Sequence, residues 1–114
     1  MINIYEDINK LQATFRKTEE FENLQKAVEA VREDEEAKKL FTNFRDVQMK
    51  MQDKQNAGEE LTEDEYVYLQ KTAQLAQQDM KILAMLEAEM ALSTVIQEVN
   101  RIITQPIQSL YDGL

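Results

Sequence analysis

One seam of residues constrains this chain more than anything else in it: Ile82, Met85, Glu89, Leu92, Ile96, Val99 and Ile103, apolar except for one acid. The steps alternate between three and four. A helix turns once per 3.6 residues, so that alternation keeps a single stripe aimed at one neighbouring helix. The segment is expected to be a helix that packs lengthwise against another. Ala88, Ala91, Val95 and Ile102 widen the stripe to one side.

Length turns this stripe into a question about partners. A helix over residues 80–105 would be about 39 Å long at 1.5 Å per residue. A compact domain of this chain length is roughly 35 Å across. The apolar side of the helix is therefore expected to outrun what the rest of the chain can cover. A second copy is the expected supplier, most simply as a two-fold dimer. The seven seam residues are then the expected oligomer interface. The competing reading makes the stripe the core of a monomeric bundle, because bundle cores use the same spacing.

Glu89 admits two readings. A carboxylate held within an apolar seam must find a donor or stay protonated at a cost. In that position it would select register and oligomeric state. At the seam's edge it would simply be solvated.

Ahead of the seam, the sequence is built for helices. One Pro and two Gly leave few stops in 114 residues, and Ala, Leu, Glu, Lys, Gln and Met are strong helix formers. A first helix over 3–16 carries Ile4, Ile8, Leu11 and Phe15 on one stripe. Thr18 reads as the cap of a second, over 19–32. Asp34 is a plausible cap for a third, over 35–56, which Gly58 would close in the left-handed conformation. Thr62 and Glu65 have the spacing of a capping box that opens a fourth helix over 63–77. Asp79 would cap the fifth, over 80–105. Pro106 lacks an N–H and crowds the preceding turn, so the helix is expected to end there, leaving a short turn over 107–112. The expected fold is all-α: a single domain over 1–114, an elongated bundle of about five helices with a long, coiled-coil-like last one.

The residue inventory excludes most chemistry. The chain has no Cys and no His, hence no thiolate nucleophile, zinc knuckle or imidazole base. Two glycines, Gly58 and Gly113, cannot build a phosphate-cradling loop. The acid runs Asp34-Glu35-Glu36 and Glu63-Asp64-Glu65 fit the positive ends of helices better than a metal. Nothing here points to an enzyme or a cofactor. A net charge of −9, from 22 acids and 13 bases, argues against direct binding to nucleic acid or to an anionic membrane. No apolar run is long enough to span a bilayer. The N-terminal residues place Glu6 and Asp7 where a secretory signal would carry lysines, so the cytoplasm is the expected compartment.

Several segments together resemble one family. Leu86-Glu87-Ala88-Glu89, followed by Leu92, Val95-Ile96, Val99 and Ile102-Ile103, is similar to the last helix of the YlbF/YmcA family of small bacterial proteins, closest to its YheA-like branch. Phe21-Glu22-Asn23-Leu24, the acid-rich break after it, and Lys39-Leu40-Phe41 with Phe44 resemble the same family's first half. The resemblance implies an all-helical, oligomeric, cytoplasmic protein. It also implies a regulatory adaptor that assembles with other bacterial regulatory proteins, since relatives influence competence, sporulation, biofilm development and RNA turnover. Some relatives are linked to an iron–sulfur cluster held by cysteines. This chain has none, so that property does not carry over. Two other classes remain in view: a helical holdase that accepts apolar client segments, and a metal enzyme that uses carboxylates alone.

Overall fold

The computed structural model describes residues 1–114 as five helices and no strands: α1 (Ile4–Phe15), α2 (Glu19–Glu33), α3 (Glu35–Asn56), α4 (Glu63–Gln78) and α5 (Met80–Leu110). The chain is all-α.

Each boundary has a local cause. The Asn3 side chain accepts the Tyr5 N–H and opens α1. At the α1–α2 junction the Thr18 hydroxyl donates to the Phe15 carbonyl at 2.8 Å and accepts the Phe21 N–H at 3.2 Å. One side chain thus closes one helix and starts the next, while the Phe15 and Phe21 rings meet edge to face at 5.7 Å. Asp34 breaks α2 from α3 and caps α3 through the Ala37 N–H. At the end of α3, Gly58 takes φ +80°. Its N–H reaches the Gln55 carbonyl and the Glu59 N–H reaches that of Lys54, the paired bonds of a Schellman turn. The Thr62–Glu65 capping box is closed in both directions. Asp79 accepts the N–H groups of Lys81 and Ile82 and starts α5.

The last helix differs from the sequence expectation of an end near 105 and a separate turn over 107–112. It runs through Pro106 to Leu110. Proline's fixed φ is compatible with a helix; its cost is a lost bond and crowding of the carbonyl four residues back. Here that carbonyl belongs to Ile102, on an exposed stretch where water can satisfy it.

 Every residue from Asn100 to Leu114 is exposed.

The chain divides into two compact units. Residues 25–86 form one, and residues 1–24 together with 87–114 form the other. In the first unit, α3 and α4 pack as a hairpin across the loop 57–62. Val31, Ala37, Val47, Met51, Ala76, Ile82 and Met85 are buried there. Ala37 and Ala76 are fully inaccessible, and their small side chains let neighbouring backbones come close. Thr72 is the one buried polar residue, and its hydroxyl donates to the Leu69 carbonyl at 2.9 Å. No buried side-chain oxygen or nitrogen lacks a partner.

Two ion pairs tie this unit together across long stretches of sequence. Lys54 Nζ lies 2.5 Å from Glu65 Oε1. That bond, with the Thr62 N–H second, holds the Glu65 carboxyl well down, at about 2. Lys81 Nζ lies 3.0 Å from Asp34 Oδ2. The Ala37 N–H and then Lys81 lower the Asp34 carboxyl, and Asp34 in turn raises the Lys81 ammonium.

Candidate interaction surface

The seam residues meet two different fates. Ile82 and Met85, in the unit of residues 25–86, are buried, and so is Leu92 in the other unit. Val99 is half-buried. Ile96 is 46% exposed and Ile103 64%. Glu89 is exposed, so no carboxylate is enclosed in the chain's own core at that position. The first part of the seam therefore serves the fold, whereas the part beyond Leu92 presents carbon to solvent.

In the unit of residues 1–24 and 87–114, α1 has no buried residue at all, although Ile4, Ile8 and Leu11 repeat at helical spacing. A groove of about 330 Å³ runs between that stripe and the seam, lined by Ile8, Leu11, Phe15, Ile96 and Val99 with Asn9 and Gln12 at its rim. Beyond it, Ile107 and Leu110 of α5 are also exposed.

The electrostatics of this surface are unusual for so acidic a chain. Between Met90 and Tyr111 the only charged side chains are Glu98 and Arg101. They pair with each other one turn apart. Each holds the other in its charged form, lowering the Glu98 carboxyl and raising the Arg101 guanidinium. The α5 side of the surface is apolar and locally neutral.

The chemistry-bearing residues have structural employment instead. Asp34 and Asp79 cap helices, and Glu65 closes a capping box while binding Lys54. No helix is long and apolar enough to cross a membrane. The sequence singled out the seam but not the groove, whose other wall, α1, is more than 80 residues away in the chain. The one available signal was that the α1 stripe of Ile4, Ile8, Leu11 and Phe15 had no assigned partner.

Comparison with known proteins agrees with the fold. A UPF0342 protein of Lysinibacillus sphaericus is 65% identical over 114 residues, covering 100% of this chain and 99% of its own. The UPF0342 protein YheA of Bacillus subtilis is 44% identical over 113 residues, covering 99% and 97%. Among solved structures, a DUF964 protein of unknown function from Bacillus stearothermophilus superposes with a TM-score of 0.89 at 33% identity, covering 97% of each chain. Bacillus subtilis RicA, solved in complex with RicF, shares the fold with a TM-score of 0.68 at 18% identity, covering 93% of this chain and 94% of its own. The family model described as control of competence regulator ComK, YlbF/YmcA, matches residues 4–108, and the chain belongs to that family, alongside its YheA-like members.

Proposed function

We propose that this chain is a non-enzymatic, cytoplasmic interaction protein that self-associates and works as a regulatory adaptor or scaffold. The observation that carries this reading is the exposed apolar surface formed by α1 and by α5 beyond Leu92, whose α5 side carries no net charge. Exposed apolar area on that scale is costly in water and is the usual mark of a contact surface. The RicA–RicF complex supports the same direction, because a protein of this fold there engages a protein partner. The Ile96, Val99 and Ile103 part of the seam is the contacting edge. Glu89, at its margin, faces solvent and limits how far the contact extends.

Sedimentation velocity at micromolar concentration tests the assembly, with Ile96→Asp as the broken variant. The native chain should sediment as an oligomer and the variant as a folded monomer. Affinity purification from the native host with both forms tests the adaptor role. A native chain that is monomeric refutes the assembly, and an unchanged partner list with Ile96→Asp separates assembly from function. The open groove also favours a second reading, a holdase for apolar segments. An environment-sensitive dye distinguishes the two: it stays dim in the assembled adaptor and brightens in an assembled holdase whose groove is free.

A further inference from the structure

We propose that the occupant of the α1–α5 groove is the Ile103, Ile107 and Leu110 stripe of a second copy, with the two α5 helices crossing antiparallel about a two-fold axis beside Ile103. The inference rests on the self-association reading above and specifies its geometry.

The argument begins with charge. Each copy carries a net −9, so two copies repel except where their surfaces are neutral. From Met90 to Tyr111 the Glu98–Arg101 pair cancels internally. A basic partner would be drawn to the acidic faces instead, whereas this face suits a copy of itself. Spacing supplies the next step. Ile103, Ile107 and Leu110 stand at i, i+4 and i+7, the anchor pattern of a helix laid in an apolar groove. All three are exposed. A helical tail with every residue from Asn100 exposed has no packing of its own to stabilise it, and helices in proteins depend mainly on such packing.

Symmetry then fixes the crossing. A two-fold contact is reciprocal, so the groove of each copy must receive the tail of the other. Parallel helices would set each residue beside its own equivalent and leave the groove open. An antiparallel pair brings Val99 opposite Ile103 and Ile96 opposite Ile107. Both pairs centre on residues 101–102. Arg101 lies two residues from Val99, on the far side of the helix, and Ile102 lies on the flank away from Ile96 and Ile107, so the residue nearest the axis on the contacting side is Ile103. The antiparallel arrangement also opposes the two helix dipoles favourably.

The available area is adequate. We take roughly 100 Å² for a whole aliphatic side chain and about 200 Å² for a tyrosine. On that scale, the exposed aliphatic and tyrosine surface of α1 and of the chain from Leu92 to Tyr111 comes to on the order of 700 Å² per copy. A stable interface of standard size buries about 800 Å² per partner.

The absence of cysteine makes the test clean. Single variants Ile103→Cys and Met90→Cys are introduced into the full chain, oxidised at micromolar concentration, and followed on non-reducing gels beside sedimentation of the native chain. Met90 is exposed on the same helix but off the seam and far from the axis. Ile103→Cys should link into dimers about 100-fold faster than Met90→Cys, because its thiols are held together rather than meeting by diffusion. An equimolar mixture of Ile96→Cys and Ile107→Cys should yield the mixed disulfide. Circular dichroism confirms that each variant is folded, which half-exposed positions should permit. Equal linking rates at Ile103→Cys and Met90→Cys, with a native chain that still sediments as a dimer, overturn this geometry and leave self-association standing. A native monomer overturns both and gives the groove to a different protein.

Discussion

Replacing Ile82 or Ile96 with alanine makes the same chemical change at two positions of one seam, yet the structure separates their consequences. Ile82 is fully inaccessible. Its truncation loses the transfer free energy of three carbons and leaves a cavity, a combination that costs about 2–5 kcal/mol for a buried aliphatic residue. A chain of this size loses roughly 4–6 °C in Tm per kcal/mol, so the expected fall is about 8–30 °C. Ile96 is 46% exposed. The same three carbons are worth about 2.4 kcal/mol when fully buried. Half of that, about 1 kcal/mol, is what the fold of one chain loses. Thermal unfolding followed by circular dichroism, repeated over a range of protein concentrations, reads both effects. Ile82→Ala should lower Tm at every concentration. Ile96→Ala should lower it slightly when dilute and should reduce its concentration dependence, because an oligomer's Tm rises with concentration. Equal losses at the two sites when dilute, or a cost below about 1 kcal/mol at Ile82, would refute the division of the seam into a folding half and a contacting half.

Three further outcomes follow from local geometry. Glu65 is held at about 2 by Lys54 and the Thr62 N–H, below its ordinary value of 4.5. Its contribution is complete above about pH 4.5 and is lost as pH falls towards 2, so urea unfolding of Glu65→Gln should show a flatter dependence across that window than the native chain. Gly58 sits at φ +80° with no atom within 4 Å of an added Cβ, so Gly58→Ala should cost about 1 kcal/mol from backbone strain alone, measurable by denaturant midpoint. Pro106→Ala restores a helical donor in α5 and should slow amide exchange around residues 102–110 in the native protein; unchanged exchange there would mean that the helix bears no penalty at Pro106.

What could be read from the sequence was what is decided within a few residues. The capping box at Thr62 and Glu65, the left-handed Gly58 and the caps at Thr18, Asp34 and Asp79 all depend on atoms within one turn, and the structure contains each of them. The all-α class follows from the same local preferences summed along the chain. Pro106 misled because the rule that ends a helix at proline concerns a lost donor and a crowded carbonyl, and an exposed helix tolerates both. Thr72 went unassigned because polarity suggests solvent, whereas its hydroxyl bonds back to Leu69 and can be buried at little cost. The Lys54–Glu65 and Lys81–Asp34 pairs join residues 11 and 47 positions apart, and no pattern within either helix announces them.

The candidate surface was legible in part for a related reason. Heptad-like spacing states which face of a helix is apolar; it says nothing of what covers that face at each step. Met85 and Ile103 carry the same signal in the sequence, yet one is buried and the other is 64% exposed. Charge distribution discriminates better. Around Ile82 and Met85 the flanking sequence carries Asp79, Lys81 and Glu87, and Lys81 is engaged with Asp34. From Leu92 to Tyr111 the chain is neutral apart from the self-cancelling Glu98–Arg101 pair. An ordinary solvent-facing helix of an acidic protein has no need to shed its charges, because charge keeps such a surface soluble and apart from others. A neutral, apolar stretch on a chain of net −9 is therefore a stronger pointer to contact than the seam's period alone, and it marks off the half proposed as the contact, which the period could not.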